Sequence, residues 1–75
     1  MRLIVTGLSN EVSKKELRSF FKAFGVVEKA GIDKRRKGVG FVEMPDDAEA
    51  RWALKQARSK TLRGKRVFVK EQEQA

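Results

Sequence analysis

Two apolar stripes at helical spacing, Leu17-Phe20-Phe21-Phe24 and Ala50-Ala53-Leu54-Ala57, divide a 75-residue chain most of whose other apolar residues fall in short β-rich runs. Each stripe recurs at i, i+3, i+4, i+7, the pattern of a helix that buries one face. Ser13 and Glu16 form a capping box ahead of the first stripe, and Gly25 stands where a helix C-cap belongs, which places a helix over 13–24. Pro45, Asp46, Asp47 and Glu49 supply start signals for the second helix, whose small residues imply close packing. Arg2-Leu3-Ile4-Val5-Thr6, Val26 to Ile32, Gly38 to Met44 and Arg66 to Lys70 read as four strands. Asp33 to Arg36 is a short basic turn between the second and third, and Arg58 to Lys65 is a polar connection containing Gly64. Glu71 to Ala75 is polar and expected to fray.

The order β-α-β-β-α-β is the split βαβ of ferredoxin-like α+β folds, a four-stranded antiparallel sheet with two helices on one face and the other face open. A chain of this length has room for one core, so residues 1–75 are expected to form a single domain with a stability of about 4–11 kcal/mol. Eighteen Lys and Arg against ten Asp and Glu give a net charge of +8 and a pI of 10.3. Long-range attraction then favours polyanions, leaving RNA, DNA, an anionic membrane or an acidic protein as partners. The chain contains no Cys and no His. Disulfides, zinc sites, thiol nucleophiles and imidazole acid–base chemistry are thereby excluded, and with them most enzyme mechanisms. No run approaches the roughly 18 apolar residues of a membrane span, and Met1 leads straight into a strand without a signal-peptide pattern. The expectation is an intracellular monomer without cofactor, metal or membrane partner, cytoplasmic in a bacterium and nuclear or cytoplasmic in a eukaryote.

The run Lys37-Gly38-Val39-Gly40-Phe41-Val42-Glu43-Met44 carries the functional signal. On a strand its alternation sends Lys37, Val39, Phe41 and Glu43 to one face and Gly38, Gly40, Val42 and Met44 to the other. A cation and a ring on one face suit a phosphate with a base beside it. Residues 37–44 resemble the longer ribonucleoprotein signature of the RNA-recognition motif family, and Leu3-Ile4-Val5-Thr6-Gly7-Leu8 resembles the shorter one. Leu17 with Phe21, Phe24-Gly25, Ala50 with Ala53, and Leu62-Arg63-Gly64 support the resemblance, which extends over essentially the whole chain. A self-contained domain starting at Met1 resembles small bacterial members of the family, while the short turn and Leu62-Arg63-Gly64-Lys65 resemble the first motif of paraspeckle-type eukaryotic proteins, of which the chain would be an excised piece.

The resemblance implies single-stranded RNA as ligand, with single-stranded DNA as a further candidate, bound on the open sheet face. In the family's strand order of last, first, third, second, that face would carry Arg66, Phe68 and Lys70, then Arg2, Ile4 and Thr6, then Lys37, Val39 and Phe41, then Lys29. Lys34, Arg35 and Arg36 in the turn are candidates to grip a phosphate backbone. Family members usually place three aromatic rings on this sheet, and here Ile4 and Val39 stand at two of those positions while Met44 replaces the final aromatic. Phe41 is the ring that remains, and Phe68 is a second by alternation because Val67 and Val69 suit the core. Base stacking contributes about 1–3 kcal/mol per base, so weak to moderate affinity is expected.

The alternative is a degenerate motif used mainly for protein contact. Trp52 lies off the buried stripe of the second helix, and Lys14, Arg18 and Lys22 make a basic row on the first. Either could meet a protein partner, and either could simply be a solvated surface. The marks of peptide-binding members are missing, since the first helix is basic and Arg66-Val67-Phe68 falls within the last strand. Acylphosphatases share the architecture, but Gly7 to Lys14 has no arginine to cradle phosphate; metal chaperones need paired cysteines. Gly38-x-Gly40 lacks the third glycine and the strand-turn-helix setting of a dinucleotide loop. No catalytic role is expected.

Overall fold

The computed structural model describes residues 1–72. Its elements are β1 (Arg2–Thr6), α1 (Lys14–Lys22), β2 (Lys29–Ile32), β3 (Gly40–Glu43), α2 (Asp47–Ala57), β4 (Thr61–Leu62), β5 (Lys65–Arg66) and β6 (Phe68–Glu71). Four of the strands form an antiparallel sheet in the order β2-β3-β1-β6. Leu3 and Val5 from β1, Val42 from β3 and Val69 from β6 point to one side, where they meet Leu17 and Phe21 of α1 and Ala50, Ala53 and Ala57 of α2 in a single core. Both helices therefore cover the same face, α1 over β2 and β3 and α2 over β6. The other face is free for a ligand. The α+β order and the strand sequence expected from the chain are both present. Among the described residues no helix is long and apolar enough to cross a membrane.

Local chemistry sets the element ends. Ser13 caps α1 by accepting from the Glu16 backbone N–H at 3.3 Å, and Asp46 caps α2 by accepting from Ala48 and Glu49 at 2.8 and 3.1 Å. Neither cap is the reciprocal box that the sequence suggests, because both glutamates are engaged elsewhere. Glu49 accepts from the Val26 N–H at 2.9 Å, pinning the chain that enters β2. That contact also corrects the role of Gly25, since α1 already ends at Ala23 and the Gly25 backbone is not left-handed. A Cβ at Gly25 would lie 2.7 Å from Glu49 Cβ, so the glycine is there to let this glutamate approach.

Further boundaries differ from expectation, β2 beginning at Lys29 instead of Val26 and β3 spanning only Gly40–Glu43. The Arg58–Lys65 connection holds a hairpin, β4 with β5, turned through Arg63 at φ 52° and Gly64 at φ 77°. Positive φ at both turn residues matches the twist of a two-residue hairpin loop. Arg66 consequently belongs to β5, and the last strand of the main sheet begins at Phe68. At the other end Glu71 does not fray but pairs with Leu3, and Gln72 donates to the Arg2 carbonyl at 2.9 Å. The remainder of the expected tail, 73–75, lies outside the described residues.

Arg63 ties the hairpin to α1. Its Nε donates to Glu16 Oε2 at 2.6 Å, its Nη2 to Glu16 Oε1, and its Nη1 to Glu11 Oε2 at 3.2 Å. The forked bond from Arg63 holds the Glu16 carboxyl below its ordinary value of 4.5. A carboxylate with a lowered folded-state pKa adds stability above its unfolded pKa and loses that contribution as pH falls through the folded value. Native thermal stability should therefore drop as pH falls below 4.5 more steeply than that of Glu16→Gln, a difference read from melts across the acid range. Equal acid dependence would show that the clamp is spent on side-chain ordering and solvent screening.

Candidate nucleic-acid interface

Pairing across the sheet decides which side chains share the open face. Arg2 stands opposite Glu43, which also faces Lys29; Ile4 stands opposite Phe41 and Lys70; Thr6 stands opposite Phe68. A groove of about 560 Å³ runs over this surface. It gathers Arg2, Ile4, Thr6, Arg36, Val39, Phe41 and Lys70 from the expected set. Ile4, Val39 and Phe41 form an apolar floor, with Arg2, Arg36 and Lys70 around it. Arg36 is in reach because Asp33 Oδ1 accepts from the Arg35 and Arg36 N–H groups at 2.8 and 3.3 Å, curling the basic turn back toward the sheet.

The remaining expected residues lie elsewhere. Lys37 is exposed and does not line the groove, and Gly38 at φ 75° interrupts the extended backbone between Lys37 and Val39. The break serves a bond, since the Gly38 carbonyl accepts from the Leu8 N–H at 3.0 Å. Lys34 and Arg35 are exposed in the turn outside the groove, and Lys29 is exposed on the edge strand. Arg66 and Phe68 line a separate concavity of about 410 Å³ at the β6 edge, with Arg58 beside them. Phe68 is 60 % exposed, an open ring at the corner of the face. Arg58, Asp33, Glu71 and Gln72 were not legible as neighbours of these sites from the sequence. Asp33 could have been found as an Asx-type cap of a basic turn; Glu71 and Gln72 depend on the length of a pairing that the sequence leaves open.

Phe41 is not a bare platform. The Arg2 guanidinium carbon lies 4.2 Å from its ring centroid, a cation–π contact between two half-buried side chains of about 0.5–2 kcal/mol. Phe41 Cε1 and Cζ press on Gly31, where a Cβ would come within 2.6 and 2.8 Å, so the ring is seated against β2. Arg2 Nε is buried without a hydrogen-bond partner, an orphaned donor of the kind that costs about 1–3 kcal/mol. The stack is therefore weakly held. On the helical side Trp52 is 54 % exposed, well away from the groove, and Lys14, Arg18 and Lys22 are exposed along α1. Among the described residues no three acidic groups come together as a metal site.

A model of the RNA recognition motif matches residues 3–67 of the chain. The chain belongs to the RNA recognition motif family. Organelle RRM domain-containing protein 1, chloroplastic, of Arabidopsis thaliana is 36 % identical over 73 residues, which cover 91 % of this chain and 20 % of that protein. The recognition motif thus spans about a fifth of the length of that relative. Among solved structures, that of RNA binding protein PG1 superposes with a TM-score of 0.88 at 29 % identity, covering 100 % of this chain and 96 % of that one. The Sxl-lethal protein in its RNA complex gives 0.85 at 25 % identity, covering 99 % of this chain and 47 % of that one. In the groove of this recognition motif Ile4 and Val39 are aliphatic, and the Phe41 ring carries the Arg2 guanidinium.

Proposed function

We propose that the chain is a binding module for single-stranded RNA, which lies across the open sheet face with bases over Ile4, Val39 and Phe41 and phosphates toward Arg36 and Lys70. Lys34 and Arg35 extend the cationic track at the turn, and Phe68 with Arg66 extends the surface past β6. The observation that carries this reading is the groove itself, an apolar floor with one ring, lined by the cations Arg2, Arg36 and Lys70 together with Asp33 and Glu71, on the sheet face that the helices leave open. Cation and ring together are what a nucleotide's phosphate and base require. The relatives support it, since one solved neighbour is described as an RNA-binding protein and another is an RNA complex. Use mainly for protein contact is not favoured, because the groove lies on the sheet and Trp52 does not line it. The family is generally non-enzymatic, and we read this member as a binder that works inside the cell on a monomeric scaffold.

Phe41→Ala is expected to weaken RNA binding by about 1–3 kcal/mol, and the loss should persist at high salt because stacking is not a counterion effect. Val39→Phe should strengthen binding by a comparable amount with little change in stability, since Val39 is half-buried and replaces no core contact. Fluorescence titration of a labelled single-stranded RNA pool at two salt concentrations measures both. If Phe41→Ala loses nothing at either concentration, binding does not use the sheet.

A further inference from the structure

We propose that Arg2 is a built-in cap on Phe41, occupying in the free protein the ring face on which an RNA base stacks, so that binding requires the guanidinium to swing away. This deepens the RNA-binding reading and rests on it. At 4.2 Å from the ring centroid the guanidinium leaves no room for a base between them, since an inserted base needs ~7 Å, two contact separations of about 3.5 Å. Of the two partners, Phe41 is the fixed one, wedged against the Gly31 backbone. Arg2 is free to leave. It takes part in none of the ion pairs among the described residues, even though Glu43 stands opposite it across β1 and β3. Its Nε has a hydrogen-bonding capacity that the capped position does not use. A phosphate at the groove rim would satisfy that donor and keep the charge, so the displaced cap becomes a backbone contact. The single family ring on this sheet is therefore masked until a nucleotide arrives, while Phe68, 60 % exposed, is open from the start.

The whole chain is titrated with a labelled random-sequence RNA octamer at about 50 and about 500 mM salt, where charge contributes strongly and weakly in turn. Arg2→Gln is expected to bind about two- to thirtyfold more tightly than the native chain at the higher salt, the weight of a half-buried cation–π contact, and to show a flatter salt dependence. The gain should vanish when Phe41→Ala is added, because there is then no ring to unmask. Equal or weaker binding at high salt, or a gain that survives without the ring, overturns the cap and leaves RNA binding standing. Failure of the native chain to bind at low salt overturns RNA binding, and the displacement with it, before any variant is measured. A readout independent of substitution is the Arg2 δ-methylene proton signal. It should be shifted upfield by the Phe41 ring in the free chain and return toward the ordinary arginine position on saturation with RNA. An unshifted signal in the free chain also overturns the proposal.

Discussion

Phe21→Ala is expected to destabilise the domain by about 3–5 kcal/mol, the cost of deleting a buried aromatic ring and leaving a cavity. Phe21 is fully buried and is the largest of the fully buried side chains. Its ring meets Phe20 edge-on at 5.3 Å and Phe24 at 6.1 Å, so the lost contacts are not replaced by a simple collapse. A domain of this size has about 4–11 kcal/mol to lose, and the variant is left near its unfolding midpoint or not far above it. At about 4–8 °C per kcal/mol, even the low end of that loss lowers the melting temperature by roughly 12 °C or more. Because α1 underlies β2 and β3, the groove should disappear with it, and RNA binding should fall in proportion to the unfolded fraction. A melting temperature within a few degrees of native would mean that α1 is not docked on the sheet. Phe41→Ala is the control, since it removes a ring of similar size from the open face, where stability should change far less.

The contrast between these two phenylalanines was visible in the sequence, and it shows which physical signals are local. Phe21 belongs to a stripe with a fixed helical period and a capped start, and Phe41 to an alternation anchored by Val42 and Met44 on the buried side. Periodicity of that kind survives tertiary context. The β4–β5 hairpin did not announce itself because each strand has two residues, Leu62 is only half-buried, and an arginine at positive φ is not a signal that propensity offers. Gly25 looked like a helix stop because a glycine needed for close approach and one needed for a left-handed turn are the same letter. Lys37 lies outside the groove because strand alternation does not run through Gly38, whose positive φ and bond to the Leu8 N–H interrupt the extended backbone. The Arg2 stack on Phe41 was beyond sequence reasoning altogether. It depends on the register of β1 against β3, residues some forty positions apart, and on the absence of a side chain at Gly31 in a third strand.

Replacing Lys34, Arg35 and Arg36 together by Gln should weaken binding to all RNA sequences alike and flatten the dependence of log K on log salt by up to about 2 units, about 0.7 for each phosphate contact on a single strand. Over a tenfold change in salt that is about a hundredfold difference in response between native and variant. The three cations are not equivalent, since Arg36 lines the groove while Lys34 and Arg35 project from the turn into solvent. If only Arg36 grips the backbone, the triple variant loses about 0.7 units and Arg36→Gln alone reproduces it. The turn itself should persist in every variant, because Asp33 holds it through the backbone N–H groups of Arg35 and Arg36 and not through their side chains. Phosphates carry no sequence information, so the ranking of RNA sequences should be unchanged while every affinity falls. Combined with Phe41→Ala, the triple variant separates the two halves of the interface, one lost with salt and the other not. An unchanged slope in the triple variant would remove the turn from the binding site and leave Arg2 and Lys70 as the cations of the groove.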